Sequence, residues 1–276
     1  MICFLLDSAS DCNVQGKNGY EFVPILVSIG GKEYRDGIDL DMNAFYNLLL
    51  SCEDFPKTSQ PSPQVFAELF QRMKKQGDEL IYFALSSAVS GTFQSAVIAK
   101  EMVDYDGIYL VDSLTLSCGI QILLNHAEAM VAEGASAAEI VRSCEELKGR
   151  VHIVAAVDTL EYLYRGGRLS RGAAALGTVA GLKPILTVSQ EGTVSVIGKS
   201  LGKSKAMQQI LKIVSDVACD ENYPMYTLYS YGEENCAELE QKLKEAGYSL
   251  KERKQIGSAI GAHIGPNAFG VAFVGR

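Results

Sequence analysis

Hydroxyl and carboxyl side chains follow three apolar runs in the first half of this sequence. The three pairs are Asp7-Ser8, Ser86-Ser87 and Asp112-Ser113. In open sheets of parallel strands, ligands bind beyond the carboxyl ends of the strands, so this repetition predicts a binding site at that edge. Any one pair could equally be a helix N-cap, and only the coincidence across three runs favours a site.

Two more hydroxyl clusters stand just before predicted helices. Ser90-Gly91-Thr92 lies where a strand passes into a helix, so its hydroxyls would meet backbone N–H groups at a helix start, which suits an anion. Its spacing matches neither a Walker A loop nor a GxSxG nucleophile elbow. Thr58-Ser59-Gln60-Pro61-Ser62 is the second cluster. Helix capping and ligand binding explain the first equally well, whereas a turn with an N-cap is the simpler explanation of the second.

The sequence has three histidines, and one of them is a candidate site residue. His126 falls within a predicted helix and His152 within a predicted buried strand, which are positions typical of structural histidines. His263 lies in the glycine-rich segment 257–267, where glycines allow close approach of the backbone and exposed tight turns. We therefore expect His263 to face a ligand.

Three arginines recur at three-residue intervals in the glycine-rich segment Tyr164–Gly172. They are Arg165, Arg168 and Arg171. A guanidinium group in a flexible frame suits a carboxylate or a phosphate, and a solvated basic loop is the alternative. No group of histidines, cysteines or carboxylates shows the spacing of metal ligands, so we predict no metal site.

Alternating apolar and amphipathic segments would position these residues. In the first half we predict strands at 2–6, 22–29, 79–85 and 107–111 and helices at 41–50, 63–76, 92–103, 116–133 and 136–148. This pattern is typical of an α/β fold in which helices flank a mostly parallel sheet.

The pattern changes after residue 150, where we place a domain boundary between residues 1–150 and 151–276. We predict strands at 151–157, 225–230 and 268–274, a hairpin of 184–188 with 193–197, and helices at 203–217 and 233–247. A run of small residues, 173–181, follows the arginine segment. The second domain is therefore a second α/β unit with a mixed or antiparallel sheet.

Composition excludes several classes of protein. The chain has 276 residues, of which 47% are hydrophobic and 21% charged, as expected of a folded protein with one or two domains. Its formal charge of -8 argues against nucleic-acid binding. Seven scattered cysteines without a CxxC pair predict reduced thiols in a cytoplasmic protein. We find neither a signal peptide nor an apolar run long enough for a transmembrane segment.

Seven segments, taken in order, resemble the DegV family, the fatty-acid-binding subunits of bacterial fatty acid kinases. The segments are Asp7-Ser8-Ala9-Ser10-Asp11, Thr58-Ser59-Gln60-Pro61-Ser62, Ser90-Gly91-Thr92-Phe93, Val111-Asp112-Ser113, Thr159–Leu163 with Gly166–Ser170, Lys183-Pro184-Ile185-Leu186, and His263-Ile264-Gly265-Pro266. The resemblance covers essentially the whole chain. Each segment is weak alone, and the ordered set is specific.

The resemblance implies a two-domain α/β fold that binds a long-chain fatty acid between its domains, with the acyl chain in the second domain. Thr58 and Ser90 would bind the carboxylate, with Ser59 and Gly91 beside them and His263 close by. The bound fatty acid would be a ligand, and no cofactor is implied.

The resemblance also implies a partner. Arg168 would lie at the pocket mouth, where the family presents the carboxyl group to a separate ATP-dependent kinase, the catalytic subunit. The chain would then be a carrier without catalytic residues, and its lack of a phosphate-cradling loop agrees with that role. A carrier of another apolar carboxylate, or a lipid-linked regulatory role, differs from this hypothesis only in the ligand.

A hypothesis from a different class is a hydrolase or acyl transferase. Ser90 would be the nucleophile, His263 the base, and Asp7 or Asp112 would orient the imidazole. The sequence does not establish that these side chains lie within hydrogen-bond distance of one another.

Overall fold

The computed structural model describes residues 1–169 and 181–276. The strands are Ile2–Asp7 (β1), Tyr20–Val23 (β2), Leu26–Ile29 (β3), Lys32–Arg35 (β4), Lys57–Ser59 (β5), Glu79–Ala84 (β6), Ile108–Asp112 (β7), Val151–Ala156 (β8), Leu182–Val188 (β9), Val194–Leu201 (β10), Tyr226–Tyr229 (β11), Glu252–Gln255 (β12) and Phe269–Val274 (β13). The α-helices are Met42–Ser51 (α1), Pro63–Gln76 (α2), Thr92–Val103 (α3), Cys118–Ala132 (α4), Ala137–Leu147 (α5), Glu161–Arg165 (α6), Lys203–Val217 (α7), Glu234–Glu245 (α8) and Ser258–Ile264 (α9).

The described strands form three sheets. The first has four parallel strands in the order β2-β1-β6-β7. The second has six strands in the order β10-β9-β8-β13-β11-β12 and is antiparallel except for the pair β11 and β12. The third is a small antiparallel sheet in the order β4-β3-β5. The predicted α/β fold is therefore confirmed, with a parallel sheet and a mixed sheet.

Both faces of the parallel sheet are buried, as its nearly continuous apolar strands require. Along β1, Cys3 and Leu5 face one core with α2 and α3, and Phe4 and Leu6 face the other core with α4 and α5. Helix α4 also packs on β8 and β13, so it lies between the two large sheets. Helices α7 and α8 cover the opposite face of the mixed sheet.

The predicted strand at 22–29 is wrong, because two strands occupy it. Pro24 separates β2, in the parallel sheet, from β3, in the small antiparallel sheet. Proline has no N–H to donate to a strand ladder, so the chain leaves the first sheet there. The other predicted strands and helices form with similar bounds, and α2, α3 and α7 have the predicted ends.

The glycine-rich segment 257–267 is also different from its prediction. Instead of exposed turns it forms the buried helix α9, which ends at Gly265 with a φ of 73°. Gly261 lies against Tyr46 of α1, where a Cβ atom would come within 3.0 Å of the tyrosine. These glycines serve close helix packing. Of the predicted small-residue run 173–181, all but Gly181 lies outside the described residues, as do Ser170, Arg171 and Gly172.

Two carboxylates after β1 are buried. Asp7 accepts hydrogen bonds from the Tyr82 hydroxyl at 2.7 Å and the Leu85 N–H at 2.8 Å. Asp11 accepts from the Ser117 hydroxyl and, at 2.8 Å, from the Gly257 N–H. Burial raises the pKa of Asp7 to about 6 and that of Asp11 to about 7, although these hydrogen bonds oppose the shift.

We expect Asp11→Asn to change how stability depends on pH. Between pH 4 and 7 the folded protein holds a proton on Asp11 that the unfolded chain releases, so this group stabilises the fold less as pH rises. Asparagine has no such proton. The free energy of unfolding of the variant, relative to the unmodified protein, should therefore rise by about 2 kcal/mol from pH 5 to pH 7.

Urea unfolding of both proteins at pH 5, 6, 7 and 8 measures this change. The matched control is Asp39→Asn, which replaces a surface carboxylate that is ion-paired with Arg35 at 2.8 Å and titrates below this range. A stability difference between Asp11→Asn and the unmodified protein that is constant from pH 5 to pH 8 would contradict the assignment.

Candidate functional site

A cavity of about 310 Å³ brings the predicted site residues together. Its polar lining consists of Thr58, Ser59, Gln60, Ser90, Gly91, Arg168 and His263. Its apolar lining consists of Ile25, Leu85, Val89, Leu116, Leu163, Val194, Ala259, Ile260 and Ile264. All six predicted site residues are in the first set, and they come from segments far apart in the sequence.

Strand β5 places Thr58 and Ser59 at the cavity. It pairs antiparallel with β3, so that Thr58 stands opposite Val27 and Ser59 opposite Leu26. The Thr58 hydroxyl lies 2.8 Å from Nε2 of His263. The hydroxyl-rich segment is therefore a short strand before α2, held at the cavity by the small sheet.

His263 lies in the last turn of α9, with 9% of its surface exposed. Burial, and next the positive charge of Arg168, lower its pKa to about 4, so the imidazole is neutral at neutral pH. Its buried Nδ1 atom has no hydrogen-bond partner among the described residues. A proton on Nε2 therefore leaves no buried N–H without an acceptor, and the Thr58 hydroxyl is then free to donate to a ligand.

The connection between β6 and α3 supplies Ser90 and Gly91, at the carboxyl end of a parallel strand. The Ser90 hydroxyl lies 2.8 Å from that of Thr92, in the first turn of α3. A Cβ atom at Gly91 would come within 3.0 Å of the Gln60 side chain, which donates to Ser95 at 3.0 Å. Gln60 is thus a cavity residue that sequence reasoning quoted within a motif and did not select.

The Arg168 side chain links its own loop, after α6, to the loop between β6 and α3. Its Nε donates to the Val89 carbonyl at 2.9 Å and its Nη1 to the Gly166 carbonyl at 2.6 Å. Burial lowers the pKa of Arg168. The guanidinium nevertheless stays charged, because the ordinary pKa of arginine is very high. Among the described lining residues it is the one cation, and no carboxylate stands beside it. The cavity therefore suits an anion with an apolar body.

Gly166 is a second cavity neighbour that the sequence analysis did not select. A Cβ atom there would come within 3.0 Å of Nδ1 of His263 and lie 2.9 Å from the Tyr162 carbonyl oxygen. Its only sequence signal is the glycine pair Gly166-Gly167.

The residues proposed for hydrolysis do not form a catalytic triad. Ser90 and His263 share no hydrogen bond, since Ser90 pairs with Thr92 and the imidazole with Thr58. The orienting role predicted for Asp7 or Asp112 is wrong. The Asp7 carboxylate accepts a hydrogen bond from the backbone N–H of Leu85, in the loop after β6, and the Asp112 carboxylate accepts one from the Ser87 N–H at 3.1 Å. The three strand-end pairs do lie at one edge of the parallel sheet, where the carboxylates of Asp7 and Asp112 accept hydrogen bonds from the loop after β6.

The other candidate groups lie elsewhere. His126 bonds Ser143 at 2.8 Å, and the ring of His152 stacks on Phe273. Arg165 is exposed, lies over the Phe55 ring at 4.0 Å and pairs with Glu161 at 2.7 Å. Within residues 1–169 and 181–276, no three histidine, cysteine or carboxylate side chains are grouped to hold a metal ion. In the same part of the chain, no helix combines the length and apolar character needed to cross a bilayer.

Fold and cavity together define an α/β protein with two large sheets and one small one, and with a mostly apolar internal site that carries hydroxyls, a neutral imidazole and one guanidinium. The chain belongs to the DegV family, since the family described as "Uncharacterised protein, DegV family" matches residues 2–276. A DegV domain-containing protein of Caldanaerobacter subterraneus subsp. tengcongensis is 38% identical over 276 residues, which cover 99% of this chain and 98% of that protein.

Two of the similar solved structures are described by the fatty acid that they bind. A DegV family protein from Thermus thermophilus, described by its fatty acid binding, superposes with a TM-score of 0.89 at 31% identity and covers 100% of this chain and 99% of its own. A stearic acid-binding protein from Eubacterium ventriosum has a TM-score of 0.90 at 26% identity and covers 100% of this chain and 98% of its own.

Proposed function

We propose that this protein binds a long-chain fatty acid in the cavity described above. The carboxylate would lie among Thr58, Ser59, Ser90, Gly91 and His263, and the acyl chain would extend over the apolar lining. The observation that carries the proposal is the single cavity that unites these groups. The fatty acid binding of the Thermus and Eubacterium relatives supports the choice of ligand.

The energetics favour a ligand with these two parts. A carboxylate leaves water at a high cost unless several donors satisfy it, and the hydroxyls of Thr58 and Ser90 are suitable donors. Each buried CH₂ group contributes about 0.8 kcal/mol, so a chain of about 16 carbons offers on the order of 12 kcal/mol before the costs of association. Most of the affinity would thus come from the tail, and the orientation from the polar groups.

We further propose that the protein presents the carboxylate to a separate ATP-dependent kinase, which forms the acyl phosphate, and that it acts as a carrier without catalytic residues. In this proposal residues 1–150 and 151–276 are the two domains, and the location is cytoplasmic. The seven cysteines, all unpaired, support that location. Arg168, the cation of the cavity, would face the partner.

We expect Arg168→Ala to weaken phosphorylation more than lipid binding. The Nε and Nη1 groups of Arg168 donate to the Val89 and Gly166 carbonyls and are therefore not available to a ligand. The hydroxyl donors of Thr58 and Ser90 remain in the site when the arginine side chain is removed. The rate with a purified fatty acid kinase and ATP should fall by about tenfold or more, and the Kd for palmitic acid should rise by less than about threefold. Arg165→Ala is the matched control. Equal losses of both properties would refute this division of roles.

Native mass spectrometry of the purified protein, repeated after organic extraction, tests fatty acid binding without a choice of substrate. A stoichiometric mass increment that is released as a fatty acid is the expected result. Protein that carries no lipid, and that also takes up no palmitic acid, would contradict the proposal. Hydrolysis of an acyl ester that disappears in Ser90→Ala would instead support the hydrolase hypothesis.

A further inference from the structure

The motif Asp7–Asp11 has no direct place in the proposed function, because neither of its carboxylates lines the cavity among the described residues. Asp11 is instead part of a buried carboxylate group with Asp36, which follows β4 and is 3% exposed. Buried carboxylates are costly, so their partners indicate what they stabilise.

Both carboxylates bind the beginning of α9. Asp11 accepts from the Gly257 N–H at 2.8 Å, and Asp36 accepts from the Ala259 N–H at 3.1 Å and from the Ser258 hydroxyl. A helix leaves its first N–H groups without partners, and a neighbouring side chain usually caps them. The residue before α9 is Gly257, which has no side chain. The caps therefore come from positions more than 200 residues away in the sequence.

The same helix supplies the cavity with Ala259, Ile260, His263 and Ile264. His263 is about 1.4 turns beyond Ser258 in a helix of seven residues, so a displaced first turn would displace the imidazole. The contact between His263 and Thr58 joins α9 to strand β5 at 2.8 Å. Hydrogen-bond geometry of this kind is lost with a shift of about 1 Å.

We propose that Asp11 and Asp36 are positioning residues of the carboxylate site: by holding the first turn of α9, they keep the His263 imidazole in hydrogen-bond contact with Thr58. The inference rests on the proposed function for the identity of the ligand. The positioning itself is a property of the protein without ligand.

The test is Asp36→Ala, which removes two acceptors from the first turn of α9. NMR titration of the His263 ring in lipid-free protein reports whether the imidazole stays buried beside Thr58. We expect its pKa to rise from about 4 to about 5 or higher, towards the ordinary value of a solvated histidine. The Kd for palmitic acid should rise by about tenfold, the effect of one lost hydrogen bond to a charged group.

Two controls separate positioning from stability. Asp39→Ala, in the same loop, replaces an exposed carboxylate and should change neither value. Ile140→Ala, on the buried face of α5, should lower the melting temperature while the His263 pKa stays near 4. If Asp36→Ala does not fold, Asp36→Asn keeps one acceptor and should give a smaller shift in the same direction.

A lower melting temperature with an unchanged His263 pKa, in either Asp36 variant, would overturn the proposal and leave the carboxylates a purely structural role. A shifted pKa supports the proposal even if the unmodified protein does not bind palmitic acid. In that case the positioning stands and the proposed ligand is wrong, so the two failures are distinguishable.

Discussion

Replacement of Thr58 by valine is expected to weaken binding of palmitic acid by about 10- to 100-fold, because a hydrogen bond to a charged group contributes about 1.5 to 3 kcal/mol. Valine has nearly the shape of threonine and keeps the β-strand preference that β5 requires. The substitution therefore removes one hydroxyl donor and the partner of His263 Nε2, and little else.

Displacement of a fluorescent fatty acid by palmitic acid measures this affinity. The matched control is Thr187→Val in β9, since Thr187 is also a half-buried strand residue, and its hydroxyl donates to the Ile153 carbonyl at 2.9 Å, away from the cavity. Thr187→Val should retain full affinity. If both variants bind palmitic acid as tightly as the unmodified protein, the Thr58 hydroxyl does not hold the carboxylate.

How far the sequence predicts the fold depends on the range of the interactions involved. Helix α2 begins and ends as predicted because its signals are local: Pro63 is its first residue, and Gly77 closes it with a φ of 71°. Strand β5 was not predicted. It has three residues, all of them polar or charged, and it exists because β3 pairs with it from about 30 residues away.

The candidate site shows the same division. Hydroxyls before a helix and arginines in a glycine-rich segment are visible in one stretch of sequence, so residue type and spacing point to the segments of Ser90 and Arg168. The resemblance to the DegV family, and not the pattern alone, selects Thr58, Ser90 and Arg168 within these segments. The burial of His263 is not visible there. It depends on α9, whose first N–H groups are capped by the carboxylates of Asp11 and Asp36. Short glycine-rich segments carry no periodicity that would distinguish such a helix from turns.

Gly166→Ala is expected to have an effect of similar size through a contact that sequence patterns do not reveal. Gly166 has a φ of -74° and a ψ of -8°, so alanine fits the backbone without strain. The added Cβ atom would nevertheless meet Nδ1 of His263 at less than 3.0 Å. Because the imidazole is enclosed, either the ring rotates or α9 shifts, and both break the hydrogen bond to Thr58.

Overpacking of this kind costs about 1 to 3 kcal/mol, so the affinity for palmitic acid should fall by about tenfold or more and the melting temperature should also decrease. The matched control is Gly149→Ala. The nearest atom to a Cβ at that position is Gln190 Oε1 at 3.7 Å, which is ordinary van der Waals contact. Gly149→Ala should bind palmitic acid normally.

A double-mutant cycle shows whether the imidazole transmits the effect. In a His263→Ala background the methyl group of Gly166→Ala has no ring to displace and keeps only its contact with the Tyr162 carbonyl oxygen at 2.9 Å, so most of its cost should disappear and the two losses should be strongly non-additive. Additive losses would instead assign the effect to the Gly166 carbonyl, which accepts from Arg168 at 2.6 Å. The loop of Arg168 and the site of the carboxylate would then be coupled through the guanidinium and not through His263.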